Sequence, residues 1–491
     1  MRPPYFLPSK DFHNLKFLFS GRFPSSIFIF IKNVLLLVEK ISGLSFGVLL
    51  PSYFEDYHFS NWKALQIVEV LKKEKIIKSF NNDKTMSPYS DEPKWFKTVI
   101  EVEGKSRIGY AGTGLDFFDR NKSLWPAVGE AVERYSLETY EPEEGDITQS
   151  SYKELNGNKL DIFSLAGYSD EFRNSNEKRF RMSYDETTKF CWVQGIDALS
   201  KSHIWIPLQL LSFKYANQII TDQTEPQLAP FVSTGSAAGQ NIEMAVKNGI
   251  FEIIERDAFL IHWLNKLHSE KIKVSSISNN QIDSIIKIAK EHNLEIHLVY
   301  LRTDIPIHSV AAIAVDQIDN RGPAVTVGLK SGFDLHSVIH GAINEAVGFR
   351  SFIRTRKNNY DLDSKNTGQS LREKFWFKKE SLVKLNFWIN DENEKIITYF
   401  PTYNQDKFNE NDLLEEFFLK NKLQAAYKDI TLKYFKNHHE RINVVMVRIP
   451  FLQPFYLNNQ MPALYGERLK NIPQKIGLKS GGLNYDPLPP I

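Results

Sequence analysis

One cysteine stands in 491 residues, Cys191 in KFCWVQGI. A single thiol excludes an intrachain disulfide and any cysteine-built metal site, and it fits a reducing, cytoplasmic setting. No His/Asn arrangement nearby supports a nucleophile, so Cys191 reads as a small apolar strand residue. Charge of one sign is missing too. With 61 Lys and Arg against 59 Asp and Glu, the net charge of +2 gives no basic excess for a general nucleic-acid binder. Long apolar runs are absent. The stretch SSIFIFIKNVLLLVEKISG is interrupted by Lys32 and Asn33 and closed by Glu39 and Lys40. It falls short of the roughly 18–20 apolar residues of a spanning helix. It also begins too far into the chain for a secretory signal, with no convincing cleavage site after it, and reads as an amphipathic or buried helix. No G-x-x-x-x-G-K-[ST] occurs, and the glycine spacing of G-T-G-L and S-T-G-S-A-A-G does not fit a dinucleotide fingerprint.

What is present suits a soluble globular protein: 42% hydrophobic, 13% aromatic and 24% charged residues, enough for a sizeable core. Residues 1–93 read as an N-terminal extension, either a docking element or a plain structural appendage. It ends in a helix, NWKALQIVEVLKKEKIIKSF, with Leu65, Val68 and Leu71 apolar, and a polar linker, NNDKTMSPYSDEP. From residue 94 to 491 a grammar repeats: strand, small-residue loop, helix with glutamates. WFKTVIEVEGKSRIGYAGTG leads to SLWPAVGEAVERYSLETY, and FVSTGSAAGQ leads to IEMAVKNGIFEIIERDAFLIHWLNKL. GLKSGFD leads to LHSVIHGAINEAVGFRSFIRTRK. Between them lie two hairpins, FCWVQGIDAL with IWIPLQLL and IHSVAAIAV with AVTVGL. KNNYDLDSKNTGQSLREK reads as a mobile loop, and INVVMVRI as a late strand.

The helices raise an electrostatic question. GEAVERY carries Glu130, Glu133 and Arg134; FEIIERD carries Glu252, Glu255 and Arg256; NEAVGFR carries Glu345. Residues three apart share a helix face. E-x-x-E-R is usually a solvated face with local ion pairs. Here the acids sit among Phe251, Ile253, Ile254 and Phe259, and among Ala131, Val132 and Tyr135, and the pattern occurs twice. Carboxylates clustered in an apolar setting repel and resist desolvation, so they take up protons or gather cations. Arg134 and Arg256 supply part of that charge, and a hard, oxygen-bound divalent cation would supply the rest. Glutamates from several helices on one cavity could hold two magnesium ions against a nucleoside triphosphate. Arginines and loop N–H groups would then take the phosphate oxygens.

In their order and spacing, these three blocks resemble the ATP-binding core of YcaO-domain proteins, from roughly Trp95 to the end of the chain. V-V-M-V-R-I-P-F-L-Q-P-F-Y, G-E-R-L-K-N-I-P-Q-K-I-G and L-N-Y-D-P-L-P-P-I resemble the azoline-forming cyclodehydratases, the D component, of thiazole/oxazole-modified microcin pathways. The resemblance implies an α+β fold of mixed sheets flanked by helices, with the small N-terminal extension. It implies ATP and Mg2+ as cofactors, and ATP-dependent cyclodehydration of Cys, Ser or Thr in a ribosomally made precursor peptide. The ring closes to a thiazoline or oxazoline after phosphorylation of the backbone amide oxygen. By position, Glu130, Glu133, Glu252, Glu255 and Glu345 would hold magnesium, with Glu130 and Glu252 also orienting nucleotide. Arg134, Arg256, Ser233 and Gln240 would contact nucleotide or fix the glutamates. Pro487, Pro489, Pro490 and Ile491 would form the tail that enters the active site. The implied partners are the precursor peptide, a separate ThiF-like leader-binding protein, a flavin-dependent azoline dehydrogenase, and a second copy in a homodimer. The chain departs from the family pattern at Pro126, Met244 and Gly341, and its tail reads P-L-P-P-I. Two other readings stay open: thioamide or amidine formation, and a non-catalytic peptide-docking scaffold.

Overall fold

The computed structural model describes residues 64–84, 93, 96–102, 111–119, 121–165, 167–168, 173–174, 182–318, 321–356, 368–390, 393–403, 410–436, 442–456, 463–464 and 466–491. The apolar stretch 25–43 lies outside them. Among the described residues no helix is long and apolar enough to cross a membrane. Residues from Ala64 to Ile491 form one compact unit, so residues 64–84 of the expected extension belong with the body of the protein. In the helix over residues 64–73, Ala64, Ile67, Val68 and Leu71 are buried at helical spacing, while Leu65 is exposed. The helix does not run on to Phe80, as its lysine-rich sequence suggests. It stops at residue 73, and Ile77–Lys84 forms strand β1, which includes the first residues of the expected linker. β1 pairs antiparallel with β2 (Phe96–Val102), and a run that finds a partner strand overrides helical propensity.

Three sheets make up the described fold. β1, β2 and β3 (Ala111–Asp116) form the first. The second runs β11 (Val325–Gly332), β10 (His308–Asp316), β9 (Leu294–Tyr300), β8 (Lys271–Ile272), β12 (Glu394–Lys395). The third runs β4 (Ile147–Ser151), β5 (Lys189–Asp197), β13 (Ala426–Asp429), β14 (Asn443–Arg448), β7 (Ser236–Gly239), with β6 (His203–Pro207) on β5. The pairing is antiparallel except between β12 and β8, so these are the mixed sheets the resemblance implies. Both expected hairpins form, β5 with β6 and β10 with β11. Cys191 is a half-buried β5 residue whose thiol is pushed up by burial, which suits an inert strand position.

Three helices matter most: α1 (Leu124–Thr139), α2 (Ile242–Leu264) and α3 (Leu335–Arg356). Each follows a strand made of the small residues that the sequence suggests are loops. A-G-T-G-L-D is β3, S-A-A-G is β7, and G-L-K-S-G closes β11. Their glycines admit helix backbone. A Cβ on Gly112 would lie 2.1 Å from the Ala127 carbonyl oxygen, and one on Gly328 would lie 2.1 Å from that of Ala342. These two strand–helix contacts are the same contact made twice, because Ala127 precedes Glu130 as Ala342 precedes Glu345.

Candidate functional site

The close strand–helix approach places each leading glutamate against the strand or loop before it. The Thr113 N–H donates to Glu130 Oε2 at 2.8 Å, Gly235 N–H to Glu252 Oε2 at 3.1 Å, and Leu329 N–H to Glu345 Oε2 at 3.0 Å. The sequence separations are 17, 17 and 16 residues. One device, built three times, turns three carboxylates inward. Gly235 sits at φ +90, where a side chain would be strained, and this geometry aims its N–H at Glu252. Glu133 and Glu255 follow one turn later on α1 and α2. The matching position on α3 is Gly348, where a Cβ would run into the Leu115 side chain, so β3 packs where a further carboxylate would stand.

The carboxylates meet in cross-helix pairs. Burial, then the charge of Glu252, holds Glu133 well above the usual carboxylate range. Glu252 is raised by burial against the pull of Arg256 and the Gly235 N–H. Burial and the charge of Glu255 push Glu345 up to about 7, against the pull of Arg256 and Lys330. Glu255 is buried, at 6% exposure; the other four are half-buried. Among the described residues no three His, Cys, Asp or Glu side chains form a preassembled metal cage. The five glutamates act on one another as a connected set: Glu133 with Glu252 and Glu130, Glu252 with Glu255, and Glu255 with Glu345. Magnesium, which keeps waters and substrate oxygens among its ligands, needs only one or two carboxylates.

The cations interleave with these acids. Arg134 Nη2 donates to Glu130 Oε1 at 2.9 Å. Arg256 Nη2 lies 3.6 Å from Glu255 Oε1, and its guanidinium lies 5.1 Å from the centre of the Phe455 ring. Burial works against its charge, and Glu255, Glu345 and Glu252 outweigh that. Lys330 lies across Gly341, with its Cγ 3.0 Å from where a Cβ would be, so that departure leaves no hole. Met244 is exposed on the first turn of α2, and Pro126 is exposed in the first turn of α1, where a missing N–H costs little. Ser233 is half-buried two residues before Gly235. Gln240 lies exposed past the other end of β7, roughly 13 Å along the strand from Gly235.

Two arginines escaped the sequence reading. Arg448, at the end of β14, donates to the carbonyls of Leu210 at 2.8 Å and Thr234 at 2.6 Å. It thereby fixes the loop that carries Gly235. Burial brings its pKa down to about 9, against the attraction of Glu252. Arg372 lies in the run expected to be a mobile loop. There α4 (Gly368–Trp376) forms instead, because Trp376 is fully buried and packs on Trp263 of α2 with ring centres 5.9 Å apart. Charge and glycine in that run hide the anchor.

The tail is ordered against the core. Leu488 is fully buried, Trp376 Nε1 donates to the Pro487 and Leu488 carbonyls at 3.1 and 2.9 Å, and the Val327 N–H donates to Pro490 at 2.8 Å. Val327 and Leu329 are alternate residues of edge strand β11, so their N–H groups face the same way. The tail therefore ends roughly 7 Å along the strand from the donor that holds Glu345.

Clustered acids interleaved with guanidinium groups on a mixed-sheet scaffold are chemically suited to a metal and a polyphosphate. Residues 118–453 match the family described as YcaO cyclodehydratase, ATP- and Mg2+-binding, and the chain belongs to the YcaO family. An uncharacterized protein of Methanothermobacter thermautotrophicus is 24% identical over 246 residues, which cover 49% of this chain and 57% of that one. An uncharacterized protein in the tfuA 3′ region of Rhizobium leguminosarum bv. trifolii is 24% identical over 249 residues, covering 49% and 54%. The chain thus spans about half the length of the curated relatives it matches. Among solved structures, a heterocyclase in complex with substrate and cofactor gives a TM-score of 0.65 at 18% identity, covering 84% of this chain and 55% of that one. YcaO from Methanopyrus kandleri bound with AMPPCP and Mg2+ gives 0.56 at 16%, covering 82% and 94%. The E. coli microcin synthetase McbBCD complex gives 0.55 at 14%, covering 78% and 92%. At these identities the likeness establishes the fold.

ATP and Mg2+ are the family's cofactors, and the residues fit them. The carboxylates are raised in spite of Arg134, Arg256 and Lys330, while Nε and Nη1 of half-buried Arg256 have no acceptor among the described residues. A pH effect follows. Glu345 ionises near pH 7 in the fold against about 4.5 in an unfolded chain, so the fold binds its proton more tightly. Stability of the unliganded protein from this group is present at low pH and lost as pH rises through that window. Thermal melts between about pH 5 and about pH 8 should show this decline, and Glu345→Gln should flatten it.

Proposed function

We propose that this chain uses ATP to cyclodehydrate Cys, Ser or Thr in a ribosomally made precursor peptide, giving thiazoline or oxazoline rings. The observation that carries the proposal is the tail, held on the β11 edge beside Glu345. A metal and nucleotide site alone would serve any ATP user, whereas a proline-rich segment fixed next to it matches the azoline-forming subgroup.

In this reading the bound nucleotide and its Mg2+ supply a phosphoryl group that turns the amide oxygen into a leaving group. The chain's own residues do the rest. The pairs Glu133–Glu252 and Glu255–Glu345 hold metal, and Glu130 keeps Arg134 oriented. Arg256 steadies charge on the phosphoryl oxygens, where fixed donors in a dry site act most strongly. Ser233 contacts nucleotide near the carboxylates, and Gln240 serves only its far end. Pro487, Pro489, Pro490 and Ile491 order the peptide against the site. Residues 1–93 contribute to docking. A ThiF-like partner presents the peptide leader, a flavin-dependent dehydrogenase acts on the product, and the chain works in the cytoplasm, as a homodimer.

The test is mass spectrometry of a precursor rich in Cys, Ser, Thr and Gly, incubated with the chain, its leader-binding partner, ATP and Mg2+. One water should be lost per ring, with ADP and phosphate released. Oxygen-for-sulfur exchange would move the chemistry to thioamide formation, and no peptide-dependent ATP turnover would leave a scaffold.

A further inference from the structure

Two guanidinium groups act on each other here. Arg372 on α4 is 1% exposed and Arg256 on α2 is half-buried; among the described residues the buried Nε and Nη1 atoms of both have no partner. After burial, the charge of Arg256 is the next reason that Arg372 falls to about 10, and no acidic side chain is among the charges acting on it. Its other titratable neighbour is the Tyr456 hydroxyl, which burial keeps protonated and neutral. Like charges in a poorly hydrated place, each with unused donors, are costly to the unliganded fold. Such an arrangement persists where an anion completes it. Planar guanidinium forks match phosphate oxygens in geometry as well as charge.

We infer that Arg372 and Arg256 together form the seat of the nucleotide's terminal phosphoryl group, with Arg372 contacting its oxygens directly. The inference rests on the ATP-dependent reading above and adds a residue that no motif marks. It also adds a linkage. Arg372 and Trp376 lie four apart on α4 and share a face. Trp376 holds the Pro487 and Leu488 carbonyls. One short helix therefore carries the phosphoryl seat and grips the tail, so a disturbance of either end of α4 reaches the other.

The test is calorimetric titration of the full chain, in Mg2+, with ADP and with the β,γ-methylene analogue of ATP. Arg372→Met removes the charge and keeps most of the stem. Affinity for the analogue should fall by about tenfold or more, the loss of a charge-assisted contact, while ADP affinity holds within about threefold. The unliganded variant should melt no lower than the parent, because an uncompensated buried cation is gone. Arg372→Lys should lose less, and it decides by the same ratio if the methionine variant does not fold. Equal losses for both nucleotides, no loss for the analogue, or a lower melting temperature with the nucleotide preference intact would overturn the inference. No peptide is present, so failure of ring formation leaves this result standing, while an unchanged nucleotide ratio beside normal ring formation sinks the inference alone.

Discussion

Glu255→Ala is expected to lower precursor-stimulated ATP hydrolysis by about a thousandfold or more, with the fold intact. Glu255 is the one fully buried acid of the five. It lies 3.6 Å from Arg256 and acts on Glu345 as its largest charge neighbour. Removing it takes one member from a pair proposed to hold metal and leaves Glu345 without its nearest acidic neighbour. It also frees Arg256 from its nearest acid. Three functions are lost together, so the effect should exceed that of deleting one isolated ligand. Stability should not suffer, because the charge removed was repelling its neighbours and alanine favours helix. Coupled measurement of ADP release with and without precursor, beside a thermal melt, checks both halves. Peptide-stimulated turnover above about a tenth of the parent rate would remove Glu255 from the metal site, since loss of a fixed charge in such a site costs more.

The acids were legible because they break a rule. Two E-x-x-E-R runs inside apolar helices conflict with burial, and the conflict points to a cation. Other parts were hidden by local composition. Gly112 and Gly114 make β3 read as a loop, and Gly328 makes the end of β11 read as a turn, since glycine is disfavoured in strands. They are in strands because α1 and α3 come too close for a side chain. The reason lies in tertiary packing, which a short window of sequence cannot display. Arg372 was hidden differently. Its surroundings, T-G-Q-S-L-R-E-K, look solvated, and only the burial of Trp376 beyond them draws the helix inward. Arg448 ends a strand like many exposed arginines, and its role depends on the Leu210 and Thr234 carbonyls, distant in sequence. The repeated carboxylate device spans both cases: the glutamates are visible, but the N–H groups that hold them are not.

Removing Pro489–Ile491 should lower ring formation by about a hundredfold while nucleotide affinity stays within about threefold and most stability is kept. The boundary matters. Leu488 fills a core position, and losing it as well would cost about 2–4 kcal/mol and take away one of the two carbonyls that accept from the Trp376 N–H. A cut before Leu488 would therefore mix unfolding with chemistry. A cut after it leaves both Trp376 contacts; it loses the Val327-to-Pro490 bond on the β11 edge, worth about 1 kcal/mol, together with the packing of buried Pro489 and Pro490 and of Ile491. Prolines suit this place because they carry no N–H and hold φ near one value. The segment takes a donor from the edge strand without extending the sheet, and it stays stiff as it passes Glu345. What the shortened chain loses is order at the point where peptide meets phosphoryl group, and small misplacements there are costly. Mass spectrometry of the peptide and calorimetry with Mg2+ and nucleotide separate the two readouts. Rings formed at the parent rate would make the tail a packing element only. Nucleotide affinity that fell with ring formation would assign it to the nucleotide site instead.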